Sequence, residues 1–350
     1  MTVTLAKHLG VALIAAVVVV ILSYSLGQFR QYQMAEVAAW FVATAGLTVL
    51  VGLSGQISVG NGAFMAVGAY STALLLLHLH WPIELVFVAS VVITSVAGAI
   101  FGVAAARLRG PYLAGATLML AVAVPFVAVA WPGVFGGDQG LDVLATVPGF
   151  LGPAFPLTRW IAWLACAFAL VALVLLANVA HSRVGRNWRA LRDDEVAASL
   201  AGLNVGRLQV LAFVISSACA GLGGALLATW AASASPGEFS LTLSIGLLTA
   251  VVLGGLGSLP GALWGSLVLV LVPSYLTNLG ASHGLSSGAS ASVPIAIYGV
   301  VLILVMLLFP AGIQGGIRRF LGPAAPVATG PFSALRRRGP ASEHQEKGVS

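Results

Sequence analysis

Residues 158–180 read TRWIAWLACAFALVALVLLANVA, and Arg159 is the only charged side chain in this run. A helix needs about 20 apolar residues to cross the roughly 30 Å hydrocarbon core of a bilayer. Because backbone N–H and C=O groups in lipid must bond within their own segment, a single run of this length predicts a transmembrane helix. This stretch therefore decides the fold class.

Runs of the same kind recur on both sides of it. The chain has 350 residues, of which 59% are hydrophobic and 7% are charged, whereas soluble domains contain about 25% charged residues. The sequence therefore predicts an all-α integral membrane protein with about ten transmembrane helices (eight to ten). The predicted spans are 9–27, 34–52, 60–78, 83–106, 111–131, 158–180, 208–231, 242–258, 260–277 and 293–310.

Basic residues gather in three connections and predict the topology. Arg107 and Arg109 follow the fourth span, four arginines crowd residues 181–192, and further arginines follow the last span. By the positive-inside rule these regions face the cytoplasm, and ten spans then place both termini there. The predicted organisation is a transmembrane domain at 1–317, with a cytoplasmic loop at 181–207 and an external loop at 132–157, and a disordered cytoplasmic tail at 318–350.

Three spans and the tail leave alternatives open. The first span could be a cleaved signal peptide, because small residues stand near its end, but no soluble domain follows it and a retained helix is favoured. The eighth and ninth runs, divided by Pro260, could form a broken or re-entrant pair. The arginines of the tail could contact anionic lipid headgroups or serve only as a topology signal.

Two glycine-rich segments stand out within the spans. Gly257, Gly261 and Gly265 repeat every four residues, which places them on one helix face and allows close helix packing in lipid. Packing within the chain is favoured over a dimer seam.

The second segment mixes glycine with polar residues at a helix junction. Such interruptions line transport pathways or water-filled cavities, although a kinked, buried packing helix would fit equally well. The candidate pathway-lining residues are Ser54, Gly55, Gln56, Ser58, Gly60 and Asn61.

Several chemistries are excluded by the residues themselves. The only lysines, Lys7 and Lys347, do not follow glycine, so the Gly-Lys-Ser/Thr ending of a phosphate-binding loop is missing and the chain does not hydrolyse ATP by itself. The cysteines lie within apolar runs and the histidines are scattered, which predicts no metal site, and no nucleophile–base constellation predicts an enzyme. Basic residues dispersed in short loops do not indicate nucleic-acid binding, and the lack of a mid-span charge weakens an ion-coupled carrier.

Residues 190–208, ALRDDEVAASLAGLNVGRL, form a charged segment in this apolar chain. Asp193 or Asp194 can cap a short helix, and Gly202 can end it. Val196, Leu200 and Leu203 would form an apolar stripe on it. Since a helix this short is marginal alone in water, docking on a partner protein is favoured over a solvated loop.

The same region carries a family resemblance. Residues 190–228 resemble the cytoplasmic loop and following helix of ABC-importer permeases for branched-chain amino acids, in particular the M-type subunit of the two-permease system. Further motifs occur in the same order, and together they extend the resemblance over about residues 45–317. They are GLSGQISVGNGAFMAVGAY, RLRGPYLAGATLML, FGGDQGL, VVLGGLGSLPGALWGS and FPAGIQG.

The resemblance implies that the charged segment is a coupling helix resting in a groove of an ATPase subunit. The family motif, two alanines followed by glycine, is matched by Ala197, Ala198 and Gly202, while Val196 stands where importers commonly have glutamate. The coupling residues are then expected to be Asp194, Glu195, Val196, Ala197, Ala198, Leu200 and Gly202.

The resemblance also implies a bacterial inner-membrane importer. Its expected partners are two ATPase subunits that bind ATP and Mg, a second homologous permease, and a periplasmic or extracellular binding protein; this chain itself would carry no cofactor. The expected substrates are branched-chain or related small amino acids. Relatives also move urea and amides, so the resemblance does not fix the individual substrate. An ion-coupled carrier or channel for small polar solutes is the alternative function.

Overall fold

A computed structural model describes residues 2–108, 110–148, 152, 155–282, 299–300, 303–304, 307 and 312–321. Helices dominate this part of the chain. They are α1 Thr2–Ser25, α2 Gln28–Leu47, α3 Asn61–Leu79, α4 Ile83–Ala105, α5 Pro111–Ala130, α6 Pro132–Phe135, α7 Leu157–His181, α8 Arg183–Asp193, α9 Glu195–Leu200, α10 Val205–Ala231, α11 Leu241–Gly254, α12 Leu259–Ser282 and α13 Gly312–Leu321. A π-helical segment, Thr48–Leu53, extends α2 without a break.

Seven helical segments within the described residues are long and apolar enough to cross a membrane. They match seven of the ten predicted spans to within a few residues, except that α2 begins earlier than expected. Their bounds are Gln28–Leu53, Asn61–Leu79, Ile83–Ala105, Pro111–Ala130, Leu157–His181, Val205–Ala231 and Leu259–Thr277. The chain is therefore a multi-pass, all-helical membrane protein.

The other three predicted spans have different outcomes. The first corresponds to α1, of which Leu9–Ser25 counts as a shorter apolar helix, and the indole nitrogen of Trp163 donates to the Ser23 hydroxyl at 2.8 Å. This contact joins α1 to α7, and the choice of a retained helix over a signal peptide stays a prediction. The eighth corresponds to α11, which has 14 residues. Most of the span predicted at 293–310 lies outside the described residues, so the count of ten stays a prediction.

Helix α10 is the centre of the bundle and packs against α2, α3 and α4. Glycines allow these contacts, because a Cβ atom on Gly224 would lie 1.9 Å from the Met65 carbonyl oxygen of α3. A Cβ atom on Gly221 would lie 2.3 Å from the Thr94 hydroxyl of α4. Lipid supplies no hydrophobic drive between helices, so close packing of this kind holds the bundle together.

Helices α11 and α12 form a hairpin whose two arms meet at small residues. A Cβ atom would lie 2.5 Å from the Gly254 oxygen if built on Gly261, and 2.0 Å from the Ala250 oxygen if built on Gly265. Gly257 lies in the turn, with φ +79°. Gly261 and Gly265 therefore pack on the other arm within one chain, as predicted. The single helix face predicted for all three glycines is wrong for Gly257, which precedes α12 and faces Gly52 instead.

The first arm of the hairpin, α11, is too short to cross the membrane. At about 1.5 Å per residue, the 14 residues of α11 extend for roughly 21 Å, less than the hydrocarbon thickness. Pro260 lies in the first turn of α12, where a missing N–H costs little. This geometry agrees with the broken-pair alternative for the eighth and ninth runs.

The connection between α5 and α7 is tied to the far end of α10. Its strand β1, Leu141–Asp142, pairs antiparallel with β2, Ser233–Ala234, which follows α10. The backbone N–H of Val143 also donates to the Ala232 oxygen at 3.0 Å. The loop predicted at 132–157 is thus hydrogen-bonded through residues 141–143 to the end of α10 that lies opposite α8 and α9.

Helix α13 changes the predicted domain boundary. The indole nitrogen of Trp264 on α12 donates to the Gln314 side-chain oxygen at 3.0 Å, and a Cβ atom on Gly312 would lie 2.4 Å from Gly255 Cα. The boundary predicted at residue 317 consequently falls inside a helix that continues to Leu321. The remainder of the predicted tail lies outside the described residues.

We expect Gly224→Ala to destabilise the bundle, because its new methyl group overlaps the α3 backbone. Overpacking of this kind costs about 1–3 kcal/mol of unfolding free energy. Thermal unfolding in detergent, followed by tryptophan fluorescence, should show a lower melting temperature. Gly115→Ala on α5 is the control, because a Cβ atom there meets no described atom within 4 Å. Equal melting temperatures for the two variants would contradict this packing.

Candidate functional site

Helix α8 lies across the charged end of the bundle and was not predicted from the sequence. Its N-cap is Ser182, whose hydroxyl accepts from the Val184 N–H at 3.1 Å. Gly185, Trp188 and Leu191 are buried on one face, and their spacing of three residues was the signal that could have revealed the helix. The arginines between them occupy the other positions, so the predicted basic loop is in fact an amphipathic helix.

Two side chains fix α8 to its neighbours. The Trp188 indole nitrogen donates to the Leu208 oxygen at 2.9 Å, near the start of α10. The Arg189 guanidinium donates to the Ala180 oxygen at 2.7 Å, at the end of α7. The Ala180 carbonyl lies in the last turn of α7, where helix carbonyls lack partners within the helix, and Arg189 supplies a donor to it. Helix α8 is therefore anchored near its middle to both α7 and α10.

Helix α9 has the end signals that the sequence offers. The Asp194 carboxylate accepts from the N–H groups of Val196 at 2.8 Å and of Ala197 at 3.0 Å. Gly202 has φ +83°, and the Leu203 N–H donates back to the Ala198 oxygen at 3.1 Å. This pattern is a Schellman-type ending, which makes α9 a well-defined helix of six residues.

The outward face of α9 is apolar and exposed. Val196 is 66% exposed and Leu200 is 84% exposed, whereas Ala198 is buried against the chain. Ala197 also faces outward. The stripe predicted for Val196, Leu200 and Leu203 is only partly correct, because the chain reverses at Gly202 and Leu203 becomes half-buried. Two large apolar side chains at the charged end thus lack cover within the described residues.

The second candidate segment begins where α2 changes to a π-helix. The Ser54 N–H donates to the Val49 oxygen at 3.1 Å, and the Gln56 N–H donates to the Leu50 oxygen at 3.2 Å. Gly55 then takes φ +77°, a left-handed conformation that favours glycine. Segments of π-helix are rare and occur frequently at functional sites. The helix therefore ends within the bundle at a specific glycine.

The polar side chains after this end are buried and bonded to neighbouring helices. The Gln56 amide donates to the Ser54 hydroxyl at 2.7 Å and to the Gln209 oxygen of α10 at 3.3 Å. The Asn61 amide donates to the Ser216 hydroxyl of α10 at 3.1 Å. Ser58 is fully buried. In this conformation the segment is a packed polar junction.

The backbone of the junction is satisfied by two further helices. The Val59 N–H donates to the Thr117 hydroxyl of α5 at 3.0 Å. The Gly62 N–H donates to the Ser244 hydroxyl of α11 at 3.1 Å. A Cβ atom on Gly60 would lie 2.7 Å from the Thr117 oxygen, so glycine is needed for this approach. Sequence reasoning missed these partners, whose only signal is isolated hydroxyl residues within apolar runs.

A cavity of about 280 Å³ joins the two candidate segments. Its walls come from the end of α2, the connection into α5, the start of α10 and the α8–α9 junction. Ser58, Gly60 and Asn61 do not line it, whereas Ser54, Gly55 and Gln56 do. Its further lining residues are Ile57, Leu108, Gly110, Leu113, Leu191, Arg192, Asp193, Asp194, Glu195 and Gln209.

The architecture defines a class: a multi-pass α-helical membrane protein with a capped helix held outside its bundle and an interrupted helix beneath. Residues 29–310 match the family described as "Branched-chain amino acid transport system / permease component". The chain belongs to this family, so the resemblance indicated by the sequence motifs is confirmed. No solved structure matches the chain.

Individual relatives agree with the family. The chain is 32% identical over 254 residues to the high-affinity branched-chain amino acid transport system permease protein LivM of Salmonella typhimurium, covering 66% of this chain and 60% of that protein. The chain thus matches about 60% of the length of this relative. It is 36% identical over 154 residues to LivH of Escherichia coli, covering 44% of this chain and 46% of LivH.

A more distant relative extends the comparison to an archaeon. The probable branched-chain amino acid transport permease protein LivM of Methanocaldococcus jannaschii is 26% identical over 246 residues, covering 68% of this chain and 67% of the relative. LivM proteins match more of the chain than LivH proteins do, which agrees with the M-type resemblance. These relatives are transport permeases and not enzymes, as expected from the sequence.

Removing the Asp194 cap should loosen α9 without disturbing the bundle. Asp194→Ala deletes the acceptor of two N–H groups, and losing an N-cap costs about 0.5–2 kcal/mol. Amide hydrogen exchange in 195–200 should accelerate, while exchange in α10 stays unchanged. Asp194→Asn is the control, because asparagine caps as well as aspartate. Equal exchange in the alanine and asparagine variants would show that the cap does not hold α9.

Proposed function

We propose that this chain is the membrane-spanning permease subunit of an ATP-driven ABC importer. The observation that carries the proposal is the exposed apolar face of α9, beside a cavity that reaches the interrupted helix. Family membership supports it, since the matching relatives are permeases of branched-chain amino acid transport systems. The basic connections support an orientation with α8, α9 and both termini in the cytoplasm of a bacterial inner membrane.

The exposed face of α9 is proposed to bind an ATPase subunit. A helix of six residues is too short to be stable alone, and here its ends are held by Asp194 and Gly202. Val196 and Leu200 would insert into a groove of the partner, and Ala197 would allow a close approach. Burying an exposed leucine on binding contributes about 1.5–3 kcal/mol. Since the chain lacks a phosphate-binding loop, the partners would supply ATP hydrolysis and bind Mg.

Substrate would pass along a pathway that includes the interrupted helix. Ser54, Gly55 and Gln56 line the cavity together with the charged residues of the α8–α9 junction, and they are proposed as pathway residues. The proposed substrates are branched-chain or related small amino acids, delivered by a periplasmic or extracellular binding protein. Because LivM and LivH relatives both match the chain, a second homologous permease is proposed as its membrane partner.

An ion-coupled carrier is the second candidate, and one observation favours it. The sequence indicated no charge in the middle of a span, but Glu36 lies inside α2, whose first residue is Gln28. An ionisable side chain within a membrane span is a candidate for ion coupling. The exposed face of α9 has no role in such a carrier, so the importer is the better-supported function.

Reconstitution distinguishes these two functions. The chain would be co-expressed with the proposed ATPases, second permease and binding protein and placed in proteoliposomes. We expect radiolabelled leucine uptake that requires ATP and the binding protein. Uptake by the chain alone, driven by a sodium or proton gradient, would overturn the importer and favour the carrier.

Leu200→Asp should abolish co-purification of the ATPase subunits, because it places a charge at the centre of the proposed contact. The variant should still insert in the membrane, since Leu200 is 84% exposed and outside the bundle. Affinity purification of the tagged chain, followed by immunoblotting, measures both properties. Leu200→Met preserves the apolar surface and serves as the control. Undiminished ATPase recovery with Leu200→Asp would contradict the docking role of α9.

A further inference from the structure

The last turn of α8 contacts the interrupted helix directly. The Arg192 guanidinium Nη1 donates to the Gly52 backbone oxygen at 2.6 Å, and the two residues are 140 positions apart in the chain. The Gly52 oxygen would normally accept from the Gln56 N–H in an α-helix. That N–H instead donates to the Leu50 oxygen, so the π-helical ending leaves the Gly52 carbonyl available for Arg192.

The stem of Arg192 also packs on the segment that follows. A Cβ atom on Gly55 would lie 2.8 Å from Arg192 Cγ and 3.3 Å from Arg192 Cα. Gly55 has φ +77°, so both its conformation and the space beside it favour glycine. Arg192 thus contacts the last turn of the helix through its charged head and the glycine that follows the helix through its apolar stem.

The α11–α12 turn meets the same point. A Cβ atom on Gly52 would lie 2.2 Å from the Gly257 nitrogen, and a Cβ atom on Gly257 would lie 3.7 Å from Arg192 Nη1. The guanidinium therefore lies where the end of α2 and the turn of the hairpin touch. Arg192 is thus hydrogen-bonded to one of these elements and lies beside the other.

On its other side, Arg192 is connected to α9 by a short and rigid route. It is followed by Asp193 and then by Asp194, the N-cap of α9. Trp188 is fully buried and Leu191 is 5% exposed, so α8 moves together with its anchors. Arg192 also contacts the Asp193 carboxylate at 3.5 Å, which orients the guanidinium at the helix end.

We propose that Arg192 transmits movement of α9 to the π-helical end of α2 and to the α11–α12 turn. It is a positioning residue, which acts on the cavity through the Gly52 carbonyl. This inference rests on the proposed function, because it requires an ATPase that moves α9. A purely structural contact would stabilise the fold equally in every state and would not affect the ratio of uptake to ATP hydrolysis.

The test compares variants in the complete reconstituted importer. Arg192→Met retains most of the stem and removes the donors, and Arg192→Lys restores a single cationic donor. Arg183→Met is the matched control, because Arg183 is exposed on the same helix. Radiolabelled leucine uptake and phosphate release are measured in the same proteoliposomes, and ATPase recovery is measured on purification.

We expect Arg192→Met to recover the ATPases normally but to lower leucine uptake per ATP hydrolysed at least tenfold. Arg192→Lys should recover part of the ratio, and Arg183→Met should match the unmodified chain. An unchanged ratio in Arg192→Met, loss of assembly in that variant, or an equal effect in Arg183→Met would each overturn the inference. If the unmodified chain shows no ATP-dependent uptake, the proposed function itself has failed.

Discussion

A helix that ends inside a membrane protein leaves carbonyl groups that lipid cannot bond, and the structure depends on how this constraint is met at the end of α2. Unsatisfied backbone groups in an apolar medium cost several kcal/mol each. Here the Gly52 oxygen accepts from Arg192, while hydroxyl groups on α5 and α11 accept from the N–H groups of Val59 and Gly62. The break is consequently the point where distant parts of the chain meet.

Glycine makes this junction possible as much as hydrogen bonding does. Gly52, Gly60 and Gly257 each lie where a Cβ atom would overlap a neighbour or crowd its backbone, so helices approach until side chains such as Thr117 can reach backbone groups. The lack of a side chain on glycine therefore both allows close packing around α10 and permits the interruption at the end of α2. Close helix packing and hydrogen bonding of the buried backbone groups depend on each other, because the hydroxyl side chains would not reach those groups if the helices were farther apart.

The apolar spans and the caps of α9 could be predicted because they depend on local properties. Hydropathy is set by each run, and Asp194 and Gly202 act on residues within one or two turns. The predicted stripe failed at Leu203 because a left-handed glycine reverses the chain before it. Helix α8 was missed because its arginines were interpreted only as a topology signal.

The contact between Arg192 and Gly52 could not be predicted, since residues 140 positions apart meet only through the packing of whole helices. The π-helical ending is also hidden in sequence, because Thr48–Leu53 has the same apolar character as an α-helix.

Helix α10 has a mechanical consequence. It has 27 residues and at about 1.5 Å per residue is roughly 40 Å long. It begins five residues after α9 ends, and beyond its last turn lies β2, which is hydrogen-bonded to β1. A lever of this length turns a tilt of a few degrees at one surface into a shift of about 2–3 Å at the other. Because α10 is one uninterrupted helix, movement at one surface of the protein displaces residues at the other surface.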